Sequence, residues 1–139
     1  MAANTQFSIA VHALAGLAYR GGKETVSADL AGSVNTSPSF VRRVLAKLSK
    51  AGLVETRTGP AGSSRLARKA KDISLRDIYR AVGAPKAIAI HHYAELKCCP
   101  VSCHIKEALG RAQGSAQTAL EASLAEISLA DVLRDIRRG

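Results

Sequence analysis

Apolar residues recur at helical spacing along most of this chain and give way to a strand-like pattern in one short region. From Thr5 to Arg20, Phe7, Val11, Leu14, Ala15 and Ala18 fall on one face, and Gly21-Gly22 stops the helix they predict. Ser27 to Val34 is a second, short helix. Ser27 suits its N-cap, Asp29 suits the positive end of its dipole, and Leu30 and Val34 share a face. Asn35-Thr36 breaks the pattern. Ser37-Pro38 restarts it as cap and first helical position, and Val41, Val44, Leu45 and Leu48 form the buried stripe of a third helix that ends at Ala51-Gly52. The runs 53–57 and 64–67 then read as two strands about a Gly59-Pro60-Ala61-Gly62 turn.

Beyond this hairpin, Ser74 and Asp77 have the S-x-x-D form of a capping box and open a helix to Val82, which Gly83-Ala84-Pro85 ends. Residues 86–99 carry no periodic pattern and read as a hinge. Pro100 begins the longest element. Val101, Ile105, Leu109, Ala112, Ala116, Ala119, Leu120, Ser123, Leu124 and Ile127 continue one stripe for about seven turns, which Gly110 and Gly114 weaken locally. Small residues occupy much of that stripe, and so long a face exceeds what a winged helix of this size can cover. A second copy of the chain is the economical partner, with Val101, Ile105, Leu109, Leu120 and Leu124 at the homodimer interface. Ser128 and Asp131 repeat the cap and start a last helix whose Leu129, Val132, Leu133 and Ile136 pack back on the body, with Arg137-Arg138 at its negative end. The predicted fold is mainly α with a small β-hairpin wing. Residues 1–85 form a winged helix-turn-helix, 86–99 a hinge with cysteines, and 100–139 a dimerisation helix and a terminal helix.

Two short helices joined by a tight turn, the second polar and basic at its start, are the arrangement that lays a helix in the major groove of DNA. The residues placed at the base edges or nearby phosphates are Ser37, Ser39, Phe40, Arg42, Arg43 and Lys47. For Ser37 and Phe40 a cap role and a core role remain open alternatives. Arg57, Arg65 and Lys69 fall on or just after the hairpin and suit phosphate contact, as do Arg68 and Lys71. Charge sharpens the picture. Residues 1–90 hold fourteen Lys/Arg against five Asp/Glu, whereas residues 91–139 hold six of each, so the whole net charge of +9 lies in the part of the chain that contains the winged helix. Solubility does not explain that asymmetry, whereas binding the phosphates of double-stranded DNA does. A winged-helix module for protein–protein contact is the alternative that the asymmetry argues against.

The runs SPSFVRRVLAKLSKAGLV, GPAGSSRLA and ISLRDIYRAV, with SLADVLRDI near the end, resemble the Rrf-two family of bacterial transcription regulators in order and spacing. The resemblance spans nearly the whole chain. It implies a homodimeric DNA-binding regulator with a long dimerisation helix and often a sensor cysteine group just before it; a repressor is the expected kind, though the sequence itself does not separate repressor from activator. Two positions depart from the family pattern. Ser63 and Ser64 stand where its wing usually has more glycine and an aromatic residue, and Thr58 stands where an arginine usually precedes Gly-Pro, with Arg57 one place earlier.

Cys98, Cys99 and Cys103, near His91, His92 and His104, are the concentrated ligand chemistry of the chain. Four readings compete. An iron–sulfur cluster would use all three cysteines, but two are adjacent and the third follows four residues on, which leaves little loop to wrap it. A thiol redox switch suits Cys99, which Pro100 places at a helix N-cap, with Cys103 a turn away. Zinc lacks a regular C-x-x-C pair. The fourth reading is inert thiols. No cofactor is firmly implied, and CCPVSCHIKEAL resembles a branch of the family without a cluster. His12 suits a packed or exposed role better than a ligand role. No Gly-rich phosphate loop, nucleophile elbow or H-E-x-x-H motif occurs, which argues against an enzyme. No run is apolar enough to span a membrane, no basic start precedes Arg20, and three cysteines is an odd number. These features predict a cytoplasmic protein with free thiols.

Overall fold

Leu14 and Leu17 of the first helix meet Leu45 and Leu48 of the third, Ile73 and Ile78 beyond the wing, and Leu129 of the last helix, all with side chains removed from solvent. Around this core the computed structural model describes residues 5–21, 23–57 and 62–139. The elements run α1 (Gln6–Tyr19), β1 (Thr25–Val26), α2 (Ser27–Val34), α3 (Pro38–Lys50), β2 (Val54–Arg57), β3 (Ser63–Leu66), a 3-10 turn (Ala70–Asp72), α4 (Leu75–Ala81), α5 (Pro100–Ala125) and α6 (Leu129–Arg138). They divide into two compact units. One comprises the residues up to Ala84 with Leu124–Gly139, and the other is Pro85–Ser123.

In the first unit, α1 is buried around more of its circumference than a single stripe predicts. Ala10, Ala13 and Leu17 join Leu14 in complete burial, while Phe7 and Val11 are only half-buried. Small residues at 10, 13, 15 and 18 let α2, α3, α4, α6 and β3 all pack on this one helix. The α3 stripe of Val41, Val44, Leu45 and Leu48 is buried as its spacing requires. Each such side chain removed from water contributes about 1.5–3 kcal/mol before entropy is counted. Asn35 takes a left-handed conformation (φ 62°) at the α2–α3 turn, and Gly52 (φ 79°) ends α3 where an L side chain would be strained.

The hairpin is the wing, as expected, but its sheet has three strands in the order β1-β3-β2, all antiparallel. Thr25 and Val26 pair with Ser64 and Ser63. This third strand corrects the expectation for Ser27. Val26, held extended by the sheet, is the N-cap of α2, so Ser27 becomes its first helical residue, buried, with its backbone N–H on Gly62 O. The predicted stops and turns at Gly22 and at Gly59-Pro60-Ala61, and the Thr58 departure, lie outside the described residues.

Both capping boxes form. Ser74 Oγ accepts the Asp77 N–H and Asp77 Oδ2 accepts the Ser74 N–H, each at 3.0 Å, and Ser128 and Asp131 repeat the pattern. The two starts are joined: Ser74 and Ser128 make an antiparallel bridge, Leu75 N–H donates to Ile127 O, and Leu129 N–H donates to Ile73 O, both at 2.8 Å. Leu129 and Leu133 of α6 thereby enter the core. Val132 is half-buried and Ile136 remains 49% exposed, so the expected packing face of α6 closes only over its first two turns.

In the second unit, residues 85–99 form no helix or strand and lie along α5. Ala87 N–H donates to Gln117 Oε1 (3.0 Å), Gln113 Nε2 donates to Ile88 O (2.6 Å), and Leu96 N–H donates to Ser102 Oγ (2.8 Å). The α5 helix runs unbroken through Gly110 and Gly114, and none of its residues is buried within the single chain.

Candidate nucleic-acid interface

The N-terminus of α3 is built for display. Ser37 Oγ accepts the Phe40 N–H at 3.2 Å and Pro38 occupies the first helical position, so the first turn is fixed while Ser37, Pro38 and Ser39 stay exposed. Ser37 is therefore engaged as a cap. Phe40 is half-buried against the core, and the Arg43 guanidinium lies over its ring at 5.1 Å. Arg42 is exposed and makes no ion pair among the described residues. Lys47 donates to Gln6 Oε1 of α1 at 2.7 Å, which sets its exposed side chain against the start of the chain.

A groove of about 310 Å³ runs between α3 and the wing, lined by Arg42, Leu45 and Ala46 on one side and Thr56, Arg57, Ser63 and Ser64 on the other. It brings Arg42 and Arg57 together although fifteen positions part them in the chain. Arg65 and Lys69 are not among its lining. Lys69 caps the 3-10 turn and borders a separate concave patch with Arg68, Gly21 and Ala70.

The wing arginines are engaged within the sheet. Arg57 Nε lies 3.0 Å from Glu24 Oε1, and Glu24 Oε2 accepts the Ser63 hydroxyl at 3.2 Å. Arg65 places Nη2 at 2.8 Å and Nε at 2.9 Å from Glu55 Oε2. Glu24 and Glu55 were not singled out from the sequence. Glu55 was within reach of it, because the hairpin register sets it directly opposite Arg65.

The cysteines lie in the second unit at the start of α5. Cys99 Sγ accepts the Ser102 N–H at 3.5 Å, so a thiol caps the helix that Pro100 begins. Cys103 Sγ points to the carbonyls of Leu96 (3.7 Å) and Lys97 (3.9 Å), and Cys98 is exposed. Tyr93 joins the same corner. Its hydroxyl donates to Ser102 O, its ring stacks on His91 at 4.8 Å, and Lys106 lies over it at 4.5 Å. Loss of solvent, with Glu95 adding, raises the Tyr93 phenol above its ordinary value. Cys99 and Cys103 thus face backbone groups while Cys98 faces solvent, and no three His, Cys, Asp or Glu side chains among the described residues converge on a point that could hold a metal ion. The arrangement does not fit a cluster held by Cys98, Cys99 and Cys103.

A capped, basic second helix beside a three-stranded wing, on a body that carries nearly all of the excess positive charge, defines a winged helix-turn-helix transcription regulator that binds DNA. Comparison with known proteins gives the family. Residues 3–135 match the Rrf2 family, described as an iron-dependent transcriptional regulator, and the chain belongs to that family, the Rrf-two resemblance of its sequence. It is 37% identical over 134 residues to YwnA of Bacillus subtilis, a protein named for an HTH-type transcriptional regulator, covering 96% of this chain and 98% of that one. Among solved structures, one from Lactobacillus plantarum assigned as a transcriptional regulator superposes with a TM-score of 0.81 at 25% identity, covering 96% and 90% of the two chains. IscR of T. potens superposes with a TM-score of 0.63 at 25% identity, covering 98% and 88%. The family consists of regulators rather than enzymes. No described helix is long and apolar enough to cross a membrane.

Proposed function

We propose that the chain acts in the cytoplasm as a homodimeric repressor that reads a two-fold symmetric duplex, with Arg42 at a base edge and Arg43, Ser39, Lys47 and Lys69 on or near the backbone. One observation carries this reading. The first turn of α3 is fixed by Ser37 and Pro38 yet leaves Ser39 exposed, and Arg42 is exposed beside the wing groove, the geometry a helix needs to enter a major groove. The α5 helix supports the dimer. It is 26 residues long, carries Val101, Ile105, Leu109, Leu120 and Leu124 on its apolar stripe, and buries none of them within one chain. Selection of bound sites from a pool of random duplexes tests the reading. It is expected to return a palindrome with half-sites about one or two helical turns apart. Recovery of no common sequence, together with binding that salt does not weaken, overturns it.

A thiol switch at the start of α5 is the sensing reading that the site supports. Cys99 caps the helix through its sulfur, so oxidation of that sulfur removes the cap and loosens the first turn beside the hinge. Reversible loss of DNA binding with peroxide, in colourless protein prepared without oxygen, is the expected result. A brown preparation with bound iron overturns it.

A further inference from the structure

The sheet alternates its side chains between two faces, and its register sorts them by chemistry. Thr25, Thr56 and Ser64 fall on one face, while Glu24, Glu55, Arg57, Ser63 and Arg65 fall on the other. On this second face two arginines meet two carboxylates. Arg65 and Glu55 are direct cross-strand partners. Glu24 stands just before β1 and reaches across β3, with one oxygen on Arg57 and the other on Ser63. The pairs are exposed: the side chains of Arg57 and Glu24 are 77% and 35% accessible, and those of Arg65 and Glu55 are 51% and 56% accessible. The wing face that carries two of the expected phosphate-binding arginines is therefore neutral. By contrast, Arg42 on α3 and Arg68, Lys69 and Lys71 beyond the wing enter no ion pair among the described residues.

Attraction of a protein to DNA of any sequence scales with the number of cations that displace counterions from phosphates. An arginine already neutralised by a carboxylate on the same surface adds nothing to that number until it exchanges one anion for another. From this we propose that Glu24 and Glu55 are specificity-determining residues. By holding Arg57 and Arg65 in neutral cross-sheet pairs they silence the wing toward random DNA, and they leave the arginines to engage phosphate only where α3 has docked and brought a backbone oxygen into place. This rests on the DNA-binding reading and adds a filter to it.

The test measures binding of a labelled random-sequence duplex by the full-length protein across about 50 to 200 mM salt, for the unmodified chain, Glu24→Gln, Glu55→Gln, Arg57→Gln, Arg65→Gln and the doubles Glu24→Gln/Arg57→Gln and Glu55→Gln/Arg65→Gln. Each glutamine at a glutamate position is expected to tighten binding and to steepen the slope of log affinity against log salt by about 0.9, so that the affinity lost over that range grows about three- to four-fold. Arg57→Gln and Arg65→Gln alone should leave the slope where it was, and each double should return it to the unmodified value. A slope that stays unchanged or becomes shallower in Glu24→Gln and Glu55→Gln overturns the proposal, as does a slope made shallower by about one in Arg57→Gln alone. Absence of salt-dependent binding by the unmodified chain is a different result, and it overturns the DNA-binding reading itself.

Discussion

The backbone N–H of Ser102 donates to the sulfur of Cys99 at 3.5 Å, which makes a thiol the N-cap of the 26-residue α5 helix. Caps are more often oxygen, and an oxygen placed there keeps the geometry while removing the redox chemistry. Cys99→Ser is therefore expected to bind DNA as the unmodified chain does and to lose the peroxide response. Cys99→Ala is expected to lower the stability of the helix start by about 0.5–2 kcal/mol. DNA binding followed with and without peroxide, in both variants, checks the pair. An unchanged peroxide response in the triple serine variant of Cys98, Cys99 and Cys103 would remove these thiols from the account.

Arg42 and Arg43 are adjacent but not equivalent. Arg43 lies over the Phe40 ring, whereas Arg42 lines the groove facing the wing. Arg42→Ala is expected to cost about 1–3 kcal/mol on a selected site and far less on random duplex, which relaxes specificity. Competition between the two duplexes measures the ratio, and an equal loss on both would reassign Arg42 to phosphate. Lys69→Gln should instead weaken both duplexes alike and reduce the salt slope by about one.

Leu109 and Leu120 are half-buried in the single chain, on the stripe assigned to the partner copy. Leu109→Glu or Leu120→Glu places a charge in that seam, where an unpaired charge is costly. Sedimentation at micromolar concentration is expected to show a dimer for the unmodified chain and a monomer for each variant. DNA affinity should fall with it, since two heads no longer bind jointly. A dimer that survives both changes would move the interface elsewhere.

Asp131 closes the second capping box. The Ser128 backbone N–H, then the Ser128 hydroxyl, and more weakly Arg134 hold its carboxyl below the ordinary 3.8. A carboxylate depressed in the folded state adds stability above its unfolded value and loses it as pH falls through the folded one. Unfolding midpoints from pH 5 down to about pH 2 should therefore drop more steeply for the unmodified chain than for Asp131→Asn. Parallel curves would show that the box contributes nothing through charge.

The sequence displayed local features well. Ser37-Pro38, the two S-x-x-D boxes and the α3 stripe each depend on residues within one or two turns, and all appear where the spacing put them. What it concealed is non-local. Thr25-Val26 is too short to show alternation, and it becomes a strand only because β3 lies beside it, which also displaces Ser27 from its expected cap. The near-complete burial of α1 depends on five elements packing on one helix, so no single stripe announces it. At the candidate site, Arg42, Arg43, Arg57 and Arg65 were visible as charges. That two of them are already paired follows from the register across the sheet, not from their neighbours in the chain.

The bridge between Ser74 and Ser128 has a consequence for how the molecule is made. Leu129 and Leu133 complete a core whose other walls come from the first 84 residues, and the Ile73 carbonyl and Leu75 amide find their partners only in residues 127 and 129. The DNA-reading head is thus encoded in two separated pieces, with some forty residues inserted between them. On a ribosome, the head cannot close until the second piece has emerged, and by then the inserted α5 has already been synthesised. Assembly of the reading surface is tied to completion of the long helix, and a shortened product ending before Leu124 should present an open, protease-sensitive core in place of a working head.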